Sequence, residues 1–283
     1  MIALVTDSTA YLTAQEARDL GVKLIPLSYS VDGLLYSETF VESNGDFEGL
    51  IARSNGACHV TTSQITLPMF MALFEELTQQ GMEVLCLTIS SRLSGTYSNA
   101  SLAAKSVGGA IRIVDGRTTA GGSCLLLRHA AQRIREGAQL QPLAEELRAL
   151  REQIGIAFSI TDMNPLRRSG RLGIVRQSVG TILNIRPILQ LVQGGVVACD
   201  TARGRRDQIR KLAGCVPKDA QRLIVHAIGN QHGADDLAAQ LEQLFPGVPL
   251  ERRRVGPVLG IHLGLDVIGV VWDRSPQAAS LSF

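Results

Sequence analysis

Ile2 to Val31 reads IALVTDSTAYLTAQEARDLGVKLIPLSYSV, and the order of signals within it sets the fold class. Ile2 to Thr6 is a short apolar run of buried-strand length. Thr13 and Glu16 then stand at capping-box spacing, where hydroxyl and carboxylate each satisfy an orphan amide of a first helical turn. Gly21 supplies the stop for that helix, and Val22 to Val31 reads as a second strand. Strand, helix and strand within thirty residues make a βαβ unit, which requires a parallel sheet.

The same alternation continues outward. Leu67 to Gln80 carries apolar residues at helical spacing and stops at Gly81, and Val84 to Ile89 is a continuous apolar run. A helix from Thr96 to Val107, a strand from Ala110 to Asp115 and a long helical region from Ala120 to Glu152 follow. Beyond a strand at Ile156 to Ile160 the pattern changes. Pro187 to Val192 and Val196 to Thr201 flank Gln193-Gly194-Gly195 as an antiparallel hairpin. Strands at Leu223 to Ala227, Val248 to Arg252 and Val267 to Trp272, with a helix at Asp235 to Phe245, predict an α+β second half. The expected domains are therefore 1–152, α/β with a mainly parallel sheet, and 153–283, α+β.

With 45% hydrophobic residues and 283 in all, the chain has enough apolar material for two cores and a lined pocket. Twenty-eight basic residues against twenty-six acidic give a formal charge of +2, which does not favour a nucleic-acid partner. Cys58, Cys86, Cys124, Cys199 and Cys215 are odd in number and never at CxxC spacing, so they read as reduced core thiols of a cytoplasmic protein. The first residues resemble a strand more than a signal peptide, and no uncharged apolar stretch reaches the ~18 residues of a membrane span.

In a doubly wound sheet, ligands bind where the chain leaves the carboxyl ends of the strands. Thr6-Asp7-Ser8-Thr9, Thr61-Thr62-Ser63-Gln64, Ser90-Ser91-Arg92-Leu93-Ser94-Gly95-Thr96 and Thr118-Thr119 are all rich in hydroxyls. Any one of them is explained as a helix cap, but several together can hold the oxygens of an anion. No GxGxxG or GxxxxGK[ST] is present to mark a nucleotide site. His59, His129, His226, His232 and His262 are scattered, with no HExxH, so no metal is expected. Ser94 in LSGTY and Ser123 in GGSCL do not fit a GxSxG elbow. A lipid hydrolase using Ser94 or Ser91 with His262 and Asp7 or Asp266 is the enzymatic alternative. Arg168 to Leu189 reads as a basic turn, an amphipathic helix and a strand.

Six segments, ALVTDSTAYL, VTTSQ, LTISSRLSGTYSNA, IVDGRTTAGGSCLLL, SGRLG with NIRPIL, and GPVLGIHLG, follow one another in the order of the DegV family of bacterial fatty-acid-binding proteins, which the chain resembles. The resemblance implies an N-terminal Rossmann-like domain, a C-terminal α+β domain and one long-chain fatty acid at their junction. It also implies a role as the acyl-carrying subunit of bacterial fatty acid kinase in phospholipid synthesis. Catalysis would lie on a separate ATP-binding subunit, with no cofactor and no catalytic residue on this chain; a lipid-responsive regulator is the alternative binding role. Carried onto this sequence, the carboxylate contacts fall on Thr62, Ser94 and Gly95, with His262 and Arg203 as further ligand contacts. The kinase is expected to dock on the basic surface around Arg168, Arg171 and Arg203 to Arg206. The chain departs from the family pattern at Ile65-Thr66 after TTSQ, at Leu265-Asp266 after the histidine, and in VDGRTTAGGS.

Overall fold

A computed structural model describes residues 1–53, 59–171 and 185–276. Cys58 and the amphipathic helix expected within 172–184 lie outside the described residues. The chain divides into two compact units, Met1–Glu152 with Gly256–Val258, and Gln153–Val255 with Leu259–Phe283.

The first unit runs β1 (Ile2–Asp7), α1 (Ala14–Leu20), β2 (Val22–Ile25), β3 (Leu27–Val31), β4 (Leu34–Glu38), α2 (Phe47–Arg53), β5 (Val60–Ser63), α3 (Leu67–Gln79), β6 (Glu83–Thr88), α4 (Thr96–Val107), β7 (Ile111–Asp115), α5 (Gly121–Arg135) and α6 (Leu140–Leu150). β2, β1, β6 and β7 form a parallel sheet in that order. Its central strands carry Leu4, Val5, Leu85 and Leu87, all buried. α5 is buried without interruption from Gly121 to Ala131, with its basic members partnered: Arg128 pairs with Glu16 at 2.9 Å and His129 lies 2.6 Å from Glu146. α1 has the capping box read from Thr13 and Glu16 and ends at Gly21 in the left-handed region.

The single strand expected from Val22 to Val31 is two strands in two sheets. Pro26 separates them, because it cannot donate to a ladder, and the chain turns there out of the parallel sheet. β3 then pairs antiparallel with β4 and β5 in a separate three-stranded sheet. Asp32 and Gly33, at φ 50 and 84, make the two-residue turn between β3 and β4. The helical region expected from Ala120 to Glu152 is likewise two helices, separated by a left-handed Gly137 at φ 84.

The second unit contains β8 (Ile154–Ile160), α7 (Asn164–Arg168), β9 (Ile185–Val192), β10 (Gly195–Arg203), α8 (Gly204–Gly214), β11 (Arg222–Ile228), α9 (Gln231–Leu244) and β12 (Leu250–Arg254), then α10 (Pro257–Leu263), whose first two residues belong to the first unit, and β13 (Val267–Asp273). The sheet order is β10-β9-β8-β13-β11-β12, antiparallel except for β11 beside β12. The expected hairpin is β9 and β10, with Val192 opposite Gly195. α8 and α9 pack together on this sheet, burying Leu212, Leu237 and Leu241 against Val225, Ile268 and Val270. α8 had no counterpart in the sequence reading.

Among the described residues no helix is long and apolar enough to cross a membrane. Cys86 and Cys124 are buried thiols, but Cys199 is exposed and Cys215 half-buried, so the expectation of core thiols holds for only two of the four described.

Candidate functional site

Two hydroxyl-bearing segments of the first unit meet at the start of α4. The first is β5, where period-two alternation sets Val60 and Thr62 on the less exposed face and Thr61 and Ser63 on the other. Thr61 is engaged with Ser30, 2.8 Å between hydroxyl oxygens, while Thr62 lies opposite Tyr29 in the ladder. The sequence leads one to expect TTSQ as a hydroxyl-rich turn preceding the Leu67 helix. It is instead the last strand of the antiparallel sheet and the loop leaving it.

That loop is tied to α4 at two points. Asn99 Nδ2 donates to the carbonyl of buried Ile65 at 2.8 Å. The Gln64 side chain lies so close over Gly95 that a Cβ at position 95 would collide with its amide oxygen. Glycine is required at 95 by this approach.

The second segment is the loop from Ser90 to Gly95. Its shape is fixed by its own bonds: the Ser90 carbonyl accepts from the amides of Leu93 at 2.9 Å and Ser94 at 3.1 Å. Ser91 donates to Asp115 through its amide at 3.1 Å and its hydroxyl at 2.5 Å, which anchors the loop to the end of β7. Ser94 Oγ accepts from the Thr96 amide at 3.3 Å and lies 2.9 Å from Thr96 Oγ1. The Gly95 amide donates no hydrogen bond among the described residues. A helix N-terminus with a free amide and a half-exposed hydroxyl favours a negatively charged oxygen.

The hydroxyls of the Thr6-Asp7-Ser8-Thr9 turn are structural. Thr6 donates to the Leu87 carbonyl at 3.0 Å, Ser8 donates to Glu38 at 3.0 Å, and Thr9 donates to Asp7 at 2.5 Å. Asp7 also accepts the amides of Thr9 at 3.0 Å and Ile89 at 2.6 Å, clamping the ends of β1 and β6 together. Its burial raises the carboxyl pKa against the lowering effect of these bonds. Glu38 is fully buried, accepts the Val258 amide at 2.8 Å, and is pushed up to about 7 by desolvation. Gly256 is packed just as closely: a Cβ there would stand 2.6 Å from Tyr11 Cε1 and 2.7 Å from Glu38 Oε2. The backbone at Gly256 is therefore held close to Tyr11 and Glu38.

In the second unit His262 sits on α10. Burial, and secondly the charge of Arg171, push its imidazole down to about 4, so it is neutral near pH 7. Arg203 is exposed at the end of β10, where its amide donates to Asp207 at 3.0 Å. Arg168, Arg171, Arg205 and Arg206 are all exposed, with Arg205 paired to Asp236 at 2.7 Å and Arg171 donating to the Ser169 carbonyl. The acids named for a hydrolase are engaged elsewhere: Asp7 as above, and Asp266 with Asn230 at 2.6 Å and Arg186 at 4.0 Å. The Ser91 hydroxyl is given to Asp115. Among the described residues no group of three or more His, Cys, Asp or Glu could hold a metal ion.

The sequence profile of the DegV family, described as an uncharacterised protein family, matches residues 1–275. The chain belongs to the DegV family. A DegV domain-containing protein of Halalkalibacterium halodurans is 31% identical over 280 residues, which are 96% of this chain and 98% of the relative. Among solved structures, a DegV family protein from Thermus thermophilus described for its fatty acid binding is 28% identical with TM-score 0.84, covering 96% of this chain and 99% of its own. DegV of Bacillus subtilis, described as a fatty acid binding protein, is 26% identical with TM-score 0.84, covering 96% of this chain and 98% of its own.

In this DegV chain the structure brings the Gln64 loop of TTSQ against Gly95, and so joins the segments that carry Thr62 and Ser94. It places His262 and Arg203 on the second unit, on α10 and at the end of β10. Asn99 is the residue of this juncture that sequence reasoning passed over, while Gln64 and Thr96 lay within the hydroxyl-rich segments without a role of their own. Their partners are either distant in sequence or visible only through burial, and the one local signal was the Ser-x-Thr spacing of Ser94 and Thr96.

Proposed function

We propose that this DegV protein binds one long-chain fatty acid, holds its carboxylate with the hydroxyls of Thr62 and Ser94 and the amide of Gly95, and presents it to a separate ATP-binding kinase subunit for acyl-phosphate formation. The observation that carries the reading is the juncture of the TTSQ loop with the first turn of α4, where Gln64 lies on Gly95 and Asn99 holds Ile65. Relatives at 26% and 28% identity described as fatty-acid-binding support the choice of ligand. His262 and Arg203 enter the reading as further ligand contacts.

The energetics divide between tail and head. Burying a methylene contributes roughly 0.8 kcal/mol, so about ten of them contribute on the order of 8 kcal/mol before ordering costs. Hydrogen bonds to a charged group contribute about 1.5–3 kcal/mol each and mainly fix the head group in place. A hydroxyl and amide cradle leaves a carboxylate oxygen accessible to a phosphoryl donor, whereas a bidentate arginine would hold both oxygens. The chain itself needs no nucleophile, and the Ser91–Asp115 and Asp7–Thr9 bonds fit that role.

The test compares Thr62→Ala with Ser94→Ala, singly and together, for binding of a fatty acid and of the alcohol of equal chain length. Roughly tenfold or greater weakening for the acid is expected in the double variant, with the alcohol little changed and acyl-phosphate formation by the partner kinase lost. Equal affinities for the acid in all four proteins, together with undiminished turnover, would overturn the assignment.

A further inference from the structure

Thr96 opens α4 and is fully buried, with a relative exposure of 0%. Its Oγ1 has one hydrogen-bond partner among the described residues, Ser94 Oγ at 2.9 Å. On geometry alone either oxygen could donate, but burial decides between them. A buried hydroxyl that fails to donate loses its bond to water and gains nothing in exchange, whereas Ser94 is half-exposed and has other uses for its proton. Thr96 is therefore the donor. Ser94 Oγ also accepts the Thr96 amide at 3.3 Å, so both of its lone pairs are occupied by the same residue. The serine proton is left as its only remaining bonding capacity.

We propose that Thr96 is a positioning residue that fixes the Ser94 hydroxyl as a hydrogen-bond donor, so that the site takes a head group that only accepts, such as a carboxylate, over one that must donate. The inference rests on the reading of Ser94 as a carboxylate contact. It adds a source of head-group specificity from a residue that does not touch the ligand. A primary amine of the same chain length offers only donors when protonated and meets a donor at Ser94. An alcohol can accept from Ser94 but brings no charge.

Thr96→Val keeps the shape of the side chain and removes the hydroxyl. Thr96→Ala and Thr96→Ser form a second pair differing only in the hydroxyl oxygen, which serves if valine disturbs folding. In titrations with a fatty acid, the alcohol and the amine of one chain length, Thr96→Val and Thr96→Ala are expected to bind the acid about tenfold more weakly, with alcohol binding unchanged and amine binding strengthened. Thr96→Ser is expected to bind like the parent protein. Adding Thr96→Val to Ser94→Ala is expected to cause no further loss, since the threonine acts through the serine. A full additional loss in that double variant would show a merely structural role and overturn the inference. Weakened acid binding in Ser94→Ala with parental binding in Thr96→Val and Thr96→Ala would overturn it while leaving the function intact. Parental acid binding in Ser94→Ala would overturn both.

Discussion

Glu38→Gln should change how stability depends on pH, and the burial of the carboxyl sets the sign. The Glu38 carboxyl is fully buried and accepts from Ser8 and from the Val258 amide, yet desolvation holds its pKa at about 7 against an ordinary 4.5. The folded state thus binds this proton more tightly than the unfolded chain does. Stability from the group is complete below about pH 4.5 and is lost as pH rises through about 7. At about 1.4 kcal/mol per pH unit, that interval amounts to about 3 kcal/mol. Neighbouring Asp7 raises the Glu38 pKa further and is itself raised by burial, but it remains in both proteins. Urea unfolding of parent and Glu38→Gln at a series of pH values from about 4.5 to 8 isolates Glu38 by subtraction. The parent is expected to lose about 3 kcal/mol relative to the variant across that range. A difference that stays level, or that moves in favour of the parent as pH rises, would refute the placement of an ionisable carboxyl in this buried site.

Two further outcomes follow from the geometry. Asn99→Ala removes the tie between α4 and the Ile65 carbonyl at 2.8 Å, so acid binding should weaken several-fold while Asn99→Asp, which cannot donate there, does no better; isothermal titration of both variants checks this. Arg168→Glu alters an exposed charge on α7, and if the kinase docks on that basic surface, acyl-phosphate formation should fall more than tenfold at low salt while fatty acid binding measured without kinase is preserved.

Where sequence signals were local, they carried through to structure. The Thr13 and Glu16 capping box, the α4 limits at Thr96 and Val107, and the hairpin around Gln193 and Gly194 each depend on residues a few positions apart. The failures came where a local signal competed with a tertiary one. Pro26 falls inside the single strand expected from Val22 to Val31, and only its missing amide and the Asp32-Gly33 turn that follows divide that stretch between two sheets. α8 was passed over because only Ile209, Leu212 and Ala213, with Gln208, turn inward from a strongly charged segment. For the site, hydroxyl content marked the right loops and could not rank them. Ser8 and Thr9 have the same chemistry as Thr62 and Ser94, but their hydrogen bonds to Glu38 and Asp7 leave them buried in the fold. The approach of Gln64 to Gly95 and the bond from Asn99 to the Ile65 carbonyl distinguish the loops that meet.

Mass spectrometry of the intact protein, followed by analysis of the lipid it releases, tests the central claim most directly. One equivalent of an unesterified long-chain acid per chain is expected after purification or after incubation with the acid, with occupancy falling in the Thr62→Ala, Ser94→Ala double variant. A protein that stays empty in the presence of the acid, or that retains esterified lipid while refusing the free acid, would contradict it.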